Sequence, residues 1–365
     1  MAELLKNLLD KNYISRISRD AKKYHKTFKS KDFEKAIINS TWKNRELKQR
    51  ITHVSQTLQE FLPNEYPRAL KILLQMGPQF TGLEGILFPE FISTFGMSPK
   101  YRKISLQALE ELTQYSSSEF AVRPFILQDP VSMMKWMAKL SKRKNYHSRR
   151  LASEGCRPRL PWAPALPEFK RDPRLILPIL ENLKDDPQLY VRKSVANNIN
   201  DLCKDNPEIA LILIKTWMKK TPSENTRWII THGLRSLIKE GHSEALALIG
   251  YKKNPQVELS RMKLSHKKIN VGENLQFQAK LKNKSKQSQN CMIDYLIYHY
   301  KKNGEHRPKV FKLKKLVLKP GETLDLNKVH KFQRINTRKY YTGKHFIQIQ
   351  INGSKQQKIA FHLND

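Results

Sequence analysis

Hydrophobic periodicity divides this chain at about residue 250 and leaves few folds open to it. Before that point apolar residues recur at spacings of three and four, as at Leu175, Ile176, Ile179, Leu180 and Leu183. That is the spacing of helices that bury one face. From about Asn254 the pattern alternates. Leu275, Phe277, Ala279 and Leu281 point one way, with Gln276, Gln278 and Lys280 between them, as in a half-buried strand. Further strands are expected over 293–300, 310–318 and 345–351, with turn signals at Asn303-Gly304, Pro320-Gly321 and Asn352-Gly353. Six or seven short strands in so short a stretch predict an immunoglobulin-type β-sandwich, without the Cys…Trp…Cys pattern of antibody domains.

The helical part repeats. Arg192, Ile199 and Leu202 align with Arg227, Leu234 and Leu237 at an offset of 35 residues. Looser copies begin at Ser148-Arg149-Arg150 and at Tyr101-Arg102-Lys103. Helix pairs repeating every 35–45 residues or so describe a HEAT-like α-solenoid. The expected architecture is therefore multidomain: an all-α HEAT-like solenoid over residues 1–250, then a small all-β Ig-like sandwich over 254–365. The residues after each predicted turn are basic (Arg149/Arg150, Arg192/Lys193, Arg227), which would set a row of cations along one edge.

Charge narrows the function. Lys and Arg number 68 against 33 Asp and Glu, a formal net charge of +35. Part of the excess reflects a Lys-, Ile- and Asn-rich composition. The rest calls for a polyanion, and nucleic acid is the expected partner, because cations along a groove release counterions from phosphates. No apolar run is long enough to span a membrane. The amino-terminal stretch is charged where a secretory signal would be apolar, so a reducing cytoplasm is the expected compartment. Cys156, Cys203 and Cys291 are too far apart for a zinc pair or a disulfide framework, and His147, His232 and His242 form no metal set. No phosphate-binding or dinucleotide glycine motif is present.

The most unusual stretch is 149–164, RRLASEGCRPRLPWAP. It sets four arginines, one carboxylate and one tryptophan on a helix end followed by a stiff loop. Arg157 and Arg159 extend the phosphate-binding set by their forked donors. Trp162 is either a hydrophobic plug or a face that stacks on sugar or base. Three carboxylates stand in this basic setting. Glu119 is most simply part of a Ser116-x-x-Glu119 capping box. Glu154 pairs most simply with Arg150, and Asp201 with Arg192 or a neighbouring helix. All three facing a cationic surface would need a functional reason.

Three stretches carry a family resemblance: residues 148–166 (SRRLASEGCRPRLPWAPAL), 172–207 (DPRLILPILENLKDDPQLYVRKSVANNINDLCKDNP) and 225–241 (NTRWIITHGLRSLIKEG). Together they resemble the AlkC branch of the AlkC/AlkD superfamily of HEAT-like-repeat DNA glycosylases, in the subset with a C-terminal Ig-like domain. The resemblance implies excision of N-alkylated bases, 3-methyladenine and 3-methylcytosine, from duplex DNA without base flipping. It implies catalytic roles for Asp201, Glu154 and Glu119, with Asp201 as the principal water-positioning group, and contact of Trp162 with the sugar or lesion. The set expected to meet DNA is Ser148, Arg149, Arg150, Arg157, Arg159, Arg192, Lys193, Arg227 and Trp228. No metal or cofactor and no obligatory protein partner are implied, and the protein is expected to be a monomer associated with the bacterial nucleoid. The sandwich is expected to clamp the duplex, through a loop at 282–290, 301–309 or 334–339. The rival reading is a non-catalytic HEAT-repeat DNA-binding scaffold, which binds with steep salt dependence and releases no base.

Overall fold

The computed structural model describes residues 5–335 and 338–365. Among them, sixteen α-helices run from Lys11–Tyr24 to Ser243–Leu248, and nine strands follow from Val257–Leu259 to Ser354–Asn364. An all-α region followed by an all-β Ig-like sandwich is thus the architecture. The chain parts into two compact units. One runs to Leu213 and takes in Thr221–Gly233; the other is Ile214–Lys220 with Leu234–Asp365. The second unit therefore begins inside the helical sequence, ahead of the switch in periodicity at 250.

In the first unit the helix Leu189–Asp205 lies against both Tyr146–Gly155 and Glu224–Gly233. Its buried Val191, Val195, Ile199 and Leu202 follow the helical spacing of a core-facing stripe. Small polar residues close the seam to its neighbour. Ser153 and Ser194 meet oxygen to oxygen at 2.5 Å, and Asn198 Nδ2 donates to the Ser153 carbonyl at 2.8 Å. The aligned copy does not continue as one helix. It stops at Gly233, whose carbonyl accepts from Asn200 Nδ2 at 3.0 Å. Any Cβ at Gly233 would sit 2.7 Å from Ile199 Cγ2.

The repeat arginines have a shared structural task. Arg149 Nη1 donates to the carbonyls of Arg143 and Lys144, Arg192 Nη1 to those of Asp186 and Pro187, and Arg227 Nε to that of Pro222. Each arginine thereby satisfies carbonyls five or six residues back, in the turn before its helix, where no intrahelical donor is available. Their repetition marks the turn as much as it marks a charged edge.

The sandwich strands are β1 (Val257–Leu259), β2 (Lys263–Leu264), β3 (Lys268–Asn270), β4 (Asn274–Asn283), β5 (Gln289–Tyr300), β6 (His306–Leu318), β7 (Thr323–Lys331), β8 (Gly343–Ile351) and β9 (Ser354–Asn364). One sheet is β1-β4-β2 with β7 also on β4; the other is β3-β9-β8-β5-β6. All pairings between these strands are antiparallel except β3 with β9. Strand β4 buries every second residue, as its sequence predicts, and Leu275, Phe277 and Leu281 join Ile293, Ile347, Ile349 and Phe332 in the core. The Asn352-Gly353 pair turns β8 into β9 with φ of 45° and 79°, the double positive φ of a type I′ hairpin. The expected 301–309 loop is shorter than anticipated, because β6 already begins at His306. Of the expected 334–339 loop, Asn336 and Thr337 lie outside the described residues.

Within the second unit the helical stretch 234–250 is fastened to that hairpin backbone to backbone. A Cβ on Gly241 would lie 2.6 Å from the Gly353 carbonyl oxygen, and one on Gly353 only 2.3 Å from Gly241 Cα. Gln350 Nε2 donates to the Lys239 carbonyl at 3.1 Å, and Asn352 Nδ2 to that of Lys252 at 2.8 Å. Both glycines have positive φ. Gly353→Ala therefore combines a steric clash with a strained backbone, and is expected to cost about 2–4 kcal/mol of stability, read as a lowered midpoint in urea.

Three histidines are buried in the sandwich. His330 Nδ1 meets Tyr295 Oη at 3.0 Å, His299 Nε2 lies 3.3 Å from Arg338 Nη1, and His345 contacts the Tyr341 carbonyl at 2.9 Å. Burial, reinforced by nearby Arg338, pushes His330 down to about 4 and His299 down to about 3. The folded state thus holds both neutral where the unfolded chain takes up protons. Their stabilising contribution is complete above about pH 6.5 and is lost as pH falls from there toward 4 and below. Thermal melts between pH 7 and pH 4 should show a falling midpoint, and His330→Gln should flatten that fall.

Candidate active site

Glu119 sits in the turn ahead of the helix Val122–Gln128. It does not form the expected capping box. Ser116 Oγ instead donates to the Gly82 carbonyl, and Ser117 Oγ donates to Glu119 Oε2 at 2.7 Å. Arg150 and Glu154 lie one turn apart on Tyr146–Gly155, which ends where Cys156 leads into the proline-rich loop. Asp201 is on Leu189–Asp205.

These elements bring the three carboxylates into one row with two arginines between them. Arg150 Nη1 donates to Glu119 Oε2 at 2.6 Å, and its Nη2 lies 3.8 Å from Glu154 Oε1. Arg157 Nη1 donates to the same Glu154 oxygen at 2.7 Å, and grips Asp201 with Nε at 2.9 Å and Nη2 at 3.4 Å. The order is Glu119, Arg150, Glu154, Arg157, Asp201, with Lys204 Nζ 3.6 Å beyond. Side-chain exposure falls along it, from 14% at Glu119 to 7% at Glu154 and 2% at Asp201. Burial works against the charge of each arginine, but the flanking carboxylates outweigh it and hold both guanidinium groups above their ordinary pKa. Asp201 thus pairs with Arg157, not Arg192, and the spacing Arg150/Glu154 gives only the looser of the two contacts to Glu154.

The loop is held from inside by Arg123, which sequence reasoning missed. Arg123 is fully buried and donates to the carbonyls of Gly155, Arg157 and Pro164. Burial pushes its pKa down to about 10. Trp162 is 62% exposed, has φ of 64°, and has its carbonyl held by Lys48 Nζ at 2.8 Å. The same ammonium lies 5.3 Å from the ring centre of Phe120, the neighbour of Glu119. Trp162, Phe120, Leu47, Ile51 and Leu83 line one small cleft. The tryptophan therefore shares a cleft with the chain neighbour of Glu119.

The remaining basic residues are mostly engaged. Arg149 pairs with Asp186 at 2.6 Å, and Arg159 with Asp205 through two bonds at 2.5 and 2.7 Å. Arg150 lies 4.5 Å from the ring centre of Tyr190, and Arg192 lies 5.9 Å from that of Trp228, which stacks on His232 at 3.8 Å. Lys193 and Arg227 are exposed. Ser148, expected at the nucleic-acid surface, is 2% exposed and so has almost no surface to offer a phosphate. Among the described residues, no group of three or more His, Cys, Asp or Glu is arranged to hold a metal ion, and no helix is long and apolar enough to cross a membrane.

Arg123→Met leaves several carbonyls buried without donors and should cost about 3–5 kcal/mol, measured by chemical denaturation. Burial pushes the Cys156 thiol up to about 12, so native protein at pH 8 should leave Cys156 unmodified by thiol reagents that label it in urea.

The chain has relatives. A family model described as the C-terminal Ig-like domain of the uncharacterised protein YhaZ matches residues 258–365. The uncharacterized protein YhaZ of Bacillus subtilis (strain 168) is 39% identical over 359 residues, 98% of this chain and 99% of its own. The structure of Pseudomonas fluorescens alkylpurine DNA glycosylase AlkC, bound to DNA containing an abasic site analog, is similar with a TM-score of 0.95 and 34% identity over 100% of both chains. The chain belongs to the AlkC branch of the AlkC/AlkD superfamily, in the subset that carries a C-terminal Ig-like domain.

Proposed function

We propose that this protein is a DNA alkylation-repair glycosylase that hydrolyses the N-glycosidic bond of cationic N-alkylated bases, 3-methyladenine and 3-methylcytosine, in duplex DNA. The observation that carries the reading is the row Glu119–Arg150–Glu154–Arg157–Asp201, three carboxylates gathered at an arginine-rich surface beside an exposed tryptophan. The full-length likeness to AlkC supports it. The helical part, 1–250, would bind DNA and carry the chemistry. The sandwich, 254–365, would add phosphate contacts, since 251–365 holds 26 Lys and Arg against 7 Asp and Glu.

The chemistry asks little of a general acid. A base alkylated on a ring nitrogen is already positive, and takes the electron pair of its bond to C1′ with it as it leaves. Positive charge then develops on the sugar, as in glycoside hydrolysis. Carboxylates facing C1′ stabilise that charge, and orient a water whose oxygen bonds to C1′ and whose proton passes to a carboxylate or to solvent. The exposed face of Trp162 adds cation–π attraction to the sugar or lesion. Neutral bases leave too slowly to compete, so selectivity needs no enclosing pocket and no flipped base. Such a hydrolase acts as a monomer in the bacterial cytoplasm, and its reaction ends at the abasic site without strand cleavage.

The test is base release. Purified protein incubated with methylated duplex DNA should free 3-methyladenine and 3-methylcytosine, and should leave the abasic strand intact until alkali is added. Salt-sensitive binding with no release of either base would leave the non-catalytic scaffold as the better account.

A further inference from the structure

Resting on that glycosylase reading, we infer a division of labour within the row. Glu119 and Glu154 present oxygens to the cationic sugar, whereas Asp201 acts through Arg157 and does not touch the substrate. The family resemblance implies the opposite emphasis, with Asp201 as the principal group at the water.

Three observations carry the inference. The first is access. Asp201 is the most buried carboxylate of the row, and a group must have surface to meet a sugar. The second is valence. Glu119 spends only Oε2 on Arg150 and Ser117, and Glu154 spends only Oε1 on the two arginines. Glu119 Oε1 and Glu154 Oε2 have no protein partner among the described residues, and neither belongs to the buried polar atoms without one, so both reach the surface. Asp201 has both oxygens taken, Oδ2 by Arg157 Nε, and Oδ1 by Arg157 Nη2 with Lys204 near. The third is neighbourhood. Trp162 and Phe120 line one cleft, and Phe120 is the chain neighbour of Glu119, so the exposed tryptophan shares its cleft with the segment that carries Glu119.

The physical sense is positioning. An arginine with a single partner would close on Glu154 with both its forked donors and cover the carboxylate. Asp201 takes Nε and Nη2 of Arg157, so that only Nη1 is left for Glu154. Glu154 is held by one oxygen and offers the other. Asp201 and Arg157 are thus positioning residues.

A double-mutant cycle tests this, with single-turnover release of 3-methyladenine as readout and binding to unmodified duplex measured alongside. Asp201→Asn should slow release about 100-fold while changing duplex affinity less than about threefold. In an Arg157→Gln background the same substitution should cost less than about threefold, because the residue it acts through is gone. Should Arg157→Gln fail to fold, Arg157→Lys closes the cycle, since a lysine provides one point donor in place of the fork. An undiminished 100-fold loss in either background overturns the inference and makes Asp201 a direct participant. A wild-type protein that releases no base overturns the glycosylase reading itself, whatever the cycle gives.

Discussion

The site depends on the double engagement of Arg157. It is a loop residue that binds a carboxylate from each of two helices, Glu154 on one and Asp201 on the other. Breaking such a pair on one side leaves a buried charge uncompensated, which costs about 3–5 kcal/mol. The loop is consequently fixed at its start by ion pairs and along its length by Arg123, whose donors meet its carbonyls from below. What emerges at the surface, Trp162, sits on a backbone of positive φ with its carbonyl tied by Lys48. Strain of this kind persists only where the surroundings over-determine it.

The alternation of charge resolves a conflict in the sequence. Carboxylates beside a polyanion are repelled by it, yet a cationic reaction needs them there. Placing an arginine between each pair lets the row approach phosphate as a nearly balanced array while two oxygens remain unpaired. The same economy governs the repeat arginines. Arg149 binds turn carbonyls and Asp186 at once, and so joins one helical repeat to the turn of the next.

The two regimes of the fold were legible because they are local. A helix buries every third or fourth residue and a strand every second, and Val191, Val195, Ile199 and Leu202 on the one hand, and Leu275, Phe277 and Leu281 on the other, keep to those periods. Strands of two or three residues, such as β1 to β3, are too short to alternate visibly, and the expected count of six or seven fell short of nine for that reason. The Gly241–Gly353 contact, which draws helical residues into the second unit, joins positions more than a hundred residues apart and has no local signature.

Residue types at the site were readable, and so was the pairing of Arg150 with Glu154, but the other pairings were not. Glu119 was expected to cap a helix because Ser116 stands three residues before it, yet Ser116 is bound to the Gly82 carbonyl. Asp201 was expected to meet Arg192 on its own helix or a neighbouring helix, and meets Arg157, two residues beyond the end of the neighbouring helix Tyr146–Gly155. The most direct test of the account is single-turnover base release by the Glu119→Gln/Glu154→Gln double variant, which alters the two unpaired oxygens and keeps side-chain shape. The account predicts tight duplex binding with release slowed at least about 10³-fold relative to wild type. Release at a near wild-type rate would contradict it, and would place the chemistry elsewhere on the chain.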